Sequence, residues 1–160
     1  MTIQDQANSL LYDSEPFSLR DDTEYFHIKL HRAAYITLEN ERLSLTGFDF
    51  KPSIHLYGNA KILTADADPV AIRQCMIELL QGKCFSPPLH HEARIPPDPH
   101  LVLNRAAYER LTLYRNQLRR LIHARPDLHM LANAMLLVGS ADSKIIGDTI
   151  IQLMLGQSID

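Results

Sequence analysis

The chain has 160 residues, 46% hydrophobic and 22% charged, a balance that excludes wholesale disorder and suffices for one domain with a core of its own. A formal net charge of -3 excludes a generally basic nucleic-acid coat protein. Two cysteines, Cys75 and Cys84, form neither a C-x-x-C pair nor a disulfide framework, which points to a reducing compartment and a cytoplasmic location.

Met1 to Leu11 carries no basic, then apolar, leader pattern, so no signal peptide is expected. Residues 3–12 read as a short N-terminal helix, and 13–24 as an acidic loop. In 25–31, Phe26, Ile28 and Leu30 alternate with polar residues, the period of a half-buried strand. Ala34 to Leu38 alternates likewise, Leu43 and Leu45 continue the pattern, and Ile54 and Leu56 alternate with His55 and Tyr57. The expectation is a small antiparallel sheet of four or five strands over about 25–65.

Asp68-Pro69 then marks a helix start, with a carboxylate at the cap and proline where its missing N–H costs nothing, and Gly82 marks its stop. That predicts a helix over 69–81. Residues 86–99 hold Pro87, Pro88, Pro96, Pro97 and Pro99 and read as a stiff connection. Asp98-Pro99 repeats the start signal, for a long helix over 99–124. Arg125-Pro126 breaks it, and helices over 126–138 and 141–155 follow, ending at Gly139 and Gly156. The expected fold is therefore a single α+β domain over 1–160, mainly β to residue 65 and mainly α from 66, with four helices after the sheet. No internal repeat and no low-complexity tract stands out.

Charge is uneven along the chain. Residues 1–24 hold six acids and only Arg20; residues 104–125 hold Arg105, Arg110, Arg115, Arg119, Arg120 and Arg125 against Glu109 alone. A stripe of Ala107, Leu111, Tyr114, Leu118 and Leu121 should face the core, leaving Arg105, Arg115, Arg119 and Arg120 as a partner-binding set. Arginine suits carboxylate or phosphate pairing, but no aromatic residues interleave for base stacking.

Eight histidines are many for this length. His27 and His31, four apart on one strand face, are about 13 Å from each other and too far to share a metal. His55 approaches one of them if its segment neighbours the first strand. His90, His91 and Glu92 in the proline-rich connection, with Asp98 and His100 downstream, form the most site-like group, a candidate metal or acid–base centre. Asp66 and Asp68 form a weak D-x-D pair. Walker, dinucleotide, zinc-protease and nucleophile-elbow motifs are absent, and no cofactor is expected.

The last two predicted helices are apolar most of the way round: Leu131 and Met135 in the first, Ile146, Ile150 and Met154 in the second, among others. Such helices must be buried on several sides. His129, Asn133, Lys144 and Asp148 interrupt them, so no membrane span is expected. The expectation is a homodimer through this hairpin and a non-catalytic protein-interaction module of adaptor, chaperone or inhibitor type. The predicted sheet with flanking helices resembles dimeric secretion chaperones and adaptors in architecture alone. Two alternatives stand beside it: a nucleic-acid-associated subunit using the arginines of 99–124, and a small metal-dependent enzyme centred on His90, His91 and Glu92.

Overall fold

The computed structural model describes residues 26–47, 51–83, 95–121 and 126–156. Two strands and six helices follow one another over these residues. Strand β1 (Phe26–Lys29) leads into α1 (Arg32–Ser44), α2 (Ile54–Thr64) and α3 (Pro69–Leu80); β2 (His100–Leu103) leads into α4 (Arg105–Leu121), α5 (Leu128–Val138) and α6 (Ser143–Met154).

The expected four- or five-stranded sheet is replaced by a two-stranded antiparallel one, β1 against β2, in which Ile28 faces Leu101. Segments 34–45 and 54–64, read above as strands, are helices. His31 caps α1, its Nδ1 accepting the Ala33 N–H at 3.1 Å, and Ser53 Oγ caps α2 by accepting the Leu56 N–H at 3.1 Å. The alternating pattern misled because α2 is buried on nearly every side, from His55 to Ile62. An all-round buried helix has no polar face and so no 3.6-residue signature. The later helices lie close to their expected places, except that 100–103 is extended and α4 begins at Arg105. Asn104 Oδ1 caps that helix by accepting the Ala107 N–H at 2.8 Å. The N-terminal helix over 3–12 falls outside the described residues.

The order strand-helix-helix-helix occurs twice, and the sequence repeats with it, contrary to the expectation of no repeat. Leu30 and Arg32-Ala33-Ala34-Tyr35 recur as Leu103 and Arg105-Ala106-Ala107-Tyr108. Pro52, His55, Asn59-Ala60 and Ala67-Asp68 recur as Pro126, His129, Asn133-Ala134 and Ala141-Asp142. Gly82 and Gly156, matched in the same register, hold φ of 67° and 70° and end α3 and α6 in the left-handed region that glycine favours.

The two halves face each other about a local two-fold axis. Matched residues meet on it: Ile28 faces Leu101, and Asp66 and Ser140 exchange both backbone hydrogen bonds at 2.9 Å. The packing is exchanged between halves. Helix α6 lies on α2 of the first half and α3 on α5 of the second, while α1 packs against α5 and α4 against α2. The central helices α2 and α5 thus bury their apolar surface against the other half, with Leu56, Ile62, Leu131, Met135 and Leu136 fully enclosed. Gly58 permits the closest approach: a Cβ there would sit 2.6 Å from a Leu101 methyl.

Candidate functional site

A two-stranded sheet has two open edges, and unpaired backbone groups there must be satisfied or solvated. Each edge is closed by a His-x-x-x-Asn pair on one turn of a central helix. On β2, the Val102 N–H donates to His55 Nδ1 at 3.0 Å, Asn59 Nδ2 donates to the Val102 carbonyl at 2.8 Å, and the Asn104 N–H donates to Asn59 Oδ1 at 2.8 Å. On β1, the Lys29 N–H donates to His129 Nδ1 at 3.0 Å, Asn133 Nδ2 donates to the Lys29 carbonyl at 2.8 Å, and the His31 N–H donates to Asn133 Oδ1 at 2.7 Å. The asparagine amide stands in for a peptide group of a missing third strand. Both asparagines also donate at 2.7 Å to the carbonyl of their own histidine, one helical turn back.

The edges differ in burial. His55 and Asn59 are buried, whereas His129 is exposed. Burial, reinforced by His100 and His27, pushes the His55 imidazole down to about 4. The His100 ring lies 6.0 Å from that of His55 and 5.5 Å from that of His27. His55 therefore meets a strand histidine, but from a helix rather than a neighbouring strand, and the histidine is His100 of β2. Among the described residues no group of three or more histidine, cysteine, aspartate or glutamate side chains is placed to hold a metal ion.

A second polar cluster joins α1 to α2. Lys61, nearly enclosed, places its ammonium 2.8 Å from both Glu41 oxygens and 2.8 Å from the Leu136 carbonyl, and the Tyr57 hydroxyl donates to Glu41 Oε1 at 3.1 Å. Burial first, then Glu41, pushes the Tyr57 phenol up, so it serves as a donor and not as a base. All three ammonium protons are taken, which makes the cluster a structural tie.

An open cleft of about 950 Å³ runs along the outer edge of β1. Ile95 to Pro99 form one wall, His31 and Arg32 another, and Asp127, His129, Met130 and Asn133 the third. The Pro99 carbonyl ties the proline wall down by accepting the Leu30 N–H at 2.9 Å, and Lys29 lies 3.9 Å from Asp98 across exposed surface. Of the matched positions of the other half, Ser53, His55 and Leu56 are buried where Asp127 and His129 are exposed and Met130 is half-buried, while Asn59 and Asn133 are both buried. The cleft is thus a place where the two-fold symmetry is broken.

The residues singled out from sequence are dispersed. Arg119 and Arg120 flank Asn116 on the exposed face of α4, Arg105 is exposed at its first turn, and Arg115 is half-buried. Arg110 turns inward instead, its Nε donating to the Ile62 carbonyl at 2.7 Å and its Nη2 to Ala65 at 2.9 Å, where it closes the C-terminus of α2. Leu131, Met135, Ile146 and Ile150 are core residues and Met154 is partly buried, so the first four offer no surface to a second chain. The surplus apolar surface of α5 is absorbed by the other half of the same chain. The helices α5 and α6 form no closed hairpin; each packs chiefly on the opposite repeat. His90, His91, Glu92 and Cys84 lie outside the described residues. Cys75 is buried within α3.

Sequence reasoning missed Asn59, Asn133 and Lys61. The recurrence of His-x-x-x-Asn-Ala at 55–60 and 129–134 was the available signal for the two asparagines. The fold and these edges define a duplicated α+β arrangement with exchanged helices, in which, among the described residues, His55, Asn59, His129 and Asn133 are committed to holding backbone. No known protein family, no curated protein and no solved structure matches the chain. Among the described residues no helix is long and apolar enough to cross a membrane.

Proposed function

We propose that the chain is a non-catalytic protein-interaction module of adaptor or inhibitor type, working in the cytoplasm. The observation that carries this reading is where the polar chemistry is spent. His55, Asn59, His129 and Asn133 close strand edges, and Glu41, Tyr57 and Lys61 tie two helices, while large apolar residues stand outside. Leu113, Leu121, Ile145, Ile151 and Leu155 are each close to half exposed or more. On α4 and α6 the apolar side chains stand beside charged ones, Leu113 near Glu109 and Ile145 next to Lys144, a mixture usual in protein contacts. Its homodimer contact is the outer face of α6, through Ile145, Ile151 and Leu155 with Met154 at its margin; Leu131 and Met135 are occupied within the chain.

The test is comparative affinity capture from native cells. The natural chain is set against one with Leu113, Leu121, Ile145, Ile151 and Leu155 changed to serine. A protein held by the first and lost by the second supports the reading. Equal capture by both, or enrichment of nucleic acid alone, overturns it.

A further inference from the structure

The repeat supplies an internal comparison for every surface position, and α4 is where it breaks most sharply. Matched through Arg-Ala-Ala-Tyr, the α1 positions Ile36, Glu39 and Asn40 correspond to Glu109, Thr112 and Leu113 of α4. In α1 these three are buried, Asn40 at 9% exposure. In α4 the same face is open: Glu109 is exposed, Thr112 half-exposed, and Leu113 is 64% exposed. A polar residue is thus covered where its leucine counterpart is bare, the reverse of what burial alone would select. One turn and two turns further on lie Asn116, Arg119 and Arg120, all exposed.

We infer that the outer face of α4 is a docking surface for an acidic, leucine-bearing segment of a partner protein. This rests on the interaction-module reading and names the surface and the partner chemistry. Charge complementarity selects the acidic occupant. Arg105, Arg119 and Arg120 stand on this face against Glu109 alone, and the guanidinium fork pairs with carboxylates two bonds at a time. Arg110 is committed to the carbonyls at the end of α2, so it lies outside this set. Leu113 selects a peptide over a nucleic acid, because phosphate backbones reward cations and leave an exposed leucine without a contact. Leu113 would supply burial and the arginines orientation and encounter rate.

The test uses the full-length chain and a labelled synthetic peptide of repeating Glu-Glu-Leu, with a Gln-Gln-Leu peptide, a single-stranded RNA and a DNA duplex as comparison probes. The Glu-Glu-Leu peptide should bind at low salt, weaken at least tenfold when salt is raised tenfold, and lose binding tenfold or more in an R119E/R120E variant. Leu113→Ser should weaken it severalfold with urea stability unchanged. The Gln-Gln-Leu peptide should not bind. Absence of peptide binding at low salt overturns the inference, as does binding indifferent to R119E/R120E. Preference for RNA or DNA with Leu113→Ser silent overturns it in favour of a phosphate-binding face. If the native-cell partner is still held by R119E/R120E while that variant loses the peptide, the α4 surface fails and the interaction-module reading stands. If the peptide binds as expected and no cellular protein is captured, the opposite holds.

Discussion

Acid should loosen the buried edge of β2 through His55. In the folded chain this imidazole resists protonation down to about 4, whereas its ordinary value is 6.5. An unfolded chain therefore takes up this proton at a higher pH than the folded one, so stability is complete above 6.5 and falls as pH drops towards 4. The difference is roughly 2.5 pH units at about 1.36 kcal/mol each, or about 3 kcal/mol by pH 4. The local reason is geometric. His55 Nδ1 accepts the Val102 N–H at 3.0 Å, and a protonated ring would set two donors against each other. Other groups titrate in the same range, so the natural chain must be compared with His55→Gln, which keeps an acceptor and removes the charge. Urea unfolding at intervals from pH 7.5 to pH 4 should show the natural chain losing about 3 kcal/mol more than His55→Gln. Parallel pH profiles for the two would refute the placement of a neutral, buried His55 against β2.

The two edge-closing asparagines should differ in worth. Asn59→Ala strips partners from the buried Val102 carbonyl and Asn104 N–H and should cost roughly 2–5 kcal/mol, whereas Asn133→Ala at the more open edge should cost about half that, since water can replace it; equal urea midpoints would contradict this. Gly58→Ala forces a Cβ to 2.6 Å from Leu101 and should destabilise by about 1–3 kcal/mol. Adding Leu101→Ile, the residue its counterpart Ile28 carries, should recover part of that loss in the same assay.

The boundaries of α3, α5 and α6 were readable because local chemistry marks them: Asp68-Pro69 before α3, Arg125-Pro126 before α5, Gly82 and Gly156 after α3 and α6, whereas Asp98-Pro99 precedes β2 and not α4. Asp127 Oδ1 does accept the His129 N–H at 2.6 Å; Asp68 occupies the cap position of α3 but makes no side-chain bond there. Asp142 caps α6, its Oδ1 accepting the Lys144 N–H at 2.7 Å, while Ser140 two residues earlier pairs its backbone with Asp66. The first half was misread for a physical reason. Helices α1 and α2 are buried on several sides, so apolar residues fall at alternate positions as readily as at helical ones. The duplicated Arg-Ala-Ala-Tyr would have corrected it, since 105–108 sits in the segment with a clear helical stripe and 32–35 must match it. The same oversight hid the pairing of the two halves within the chain. Apolar excess in α5 signalled a partner surface, and that surface is the other half of the chain. The arginine face was legible from charge, but Arg110 and Arg115 could be separated from Arg119 and Arg120 only with α2 in view.

The exchanged two-fold arrangement of the halves is tested most directly where matched residues meet. Asp66 and Ser140 form a hydrogen-bonded antiparallel pair, for which a Cα separation of about 5.5 Å is usual and lies within disulfide reach. With Cys75 and Cys84 replaced by serine, an Asp66→Cys/Ser140→Cys chain should close this bond within single molecules under mild oxidation and keep its fold. Thiols that stay reduced, or that link only between molecules, would show that the two halves do not meet on a shared axis.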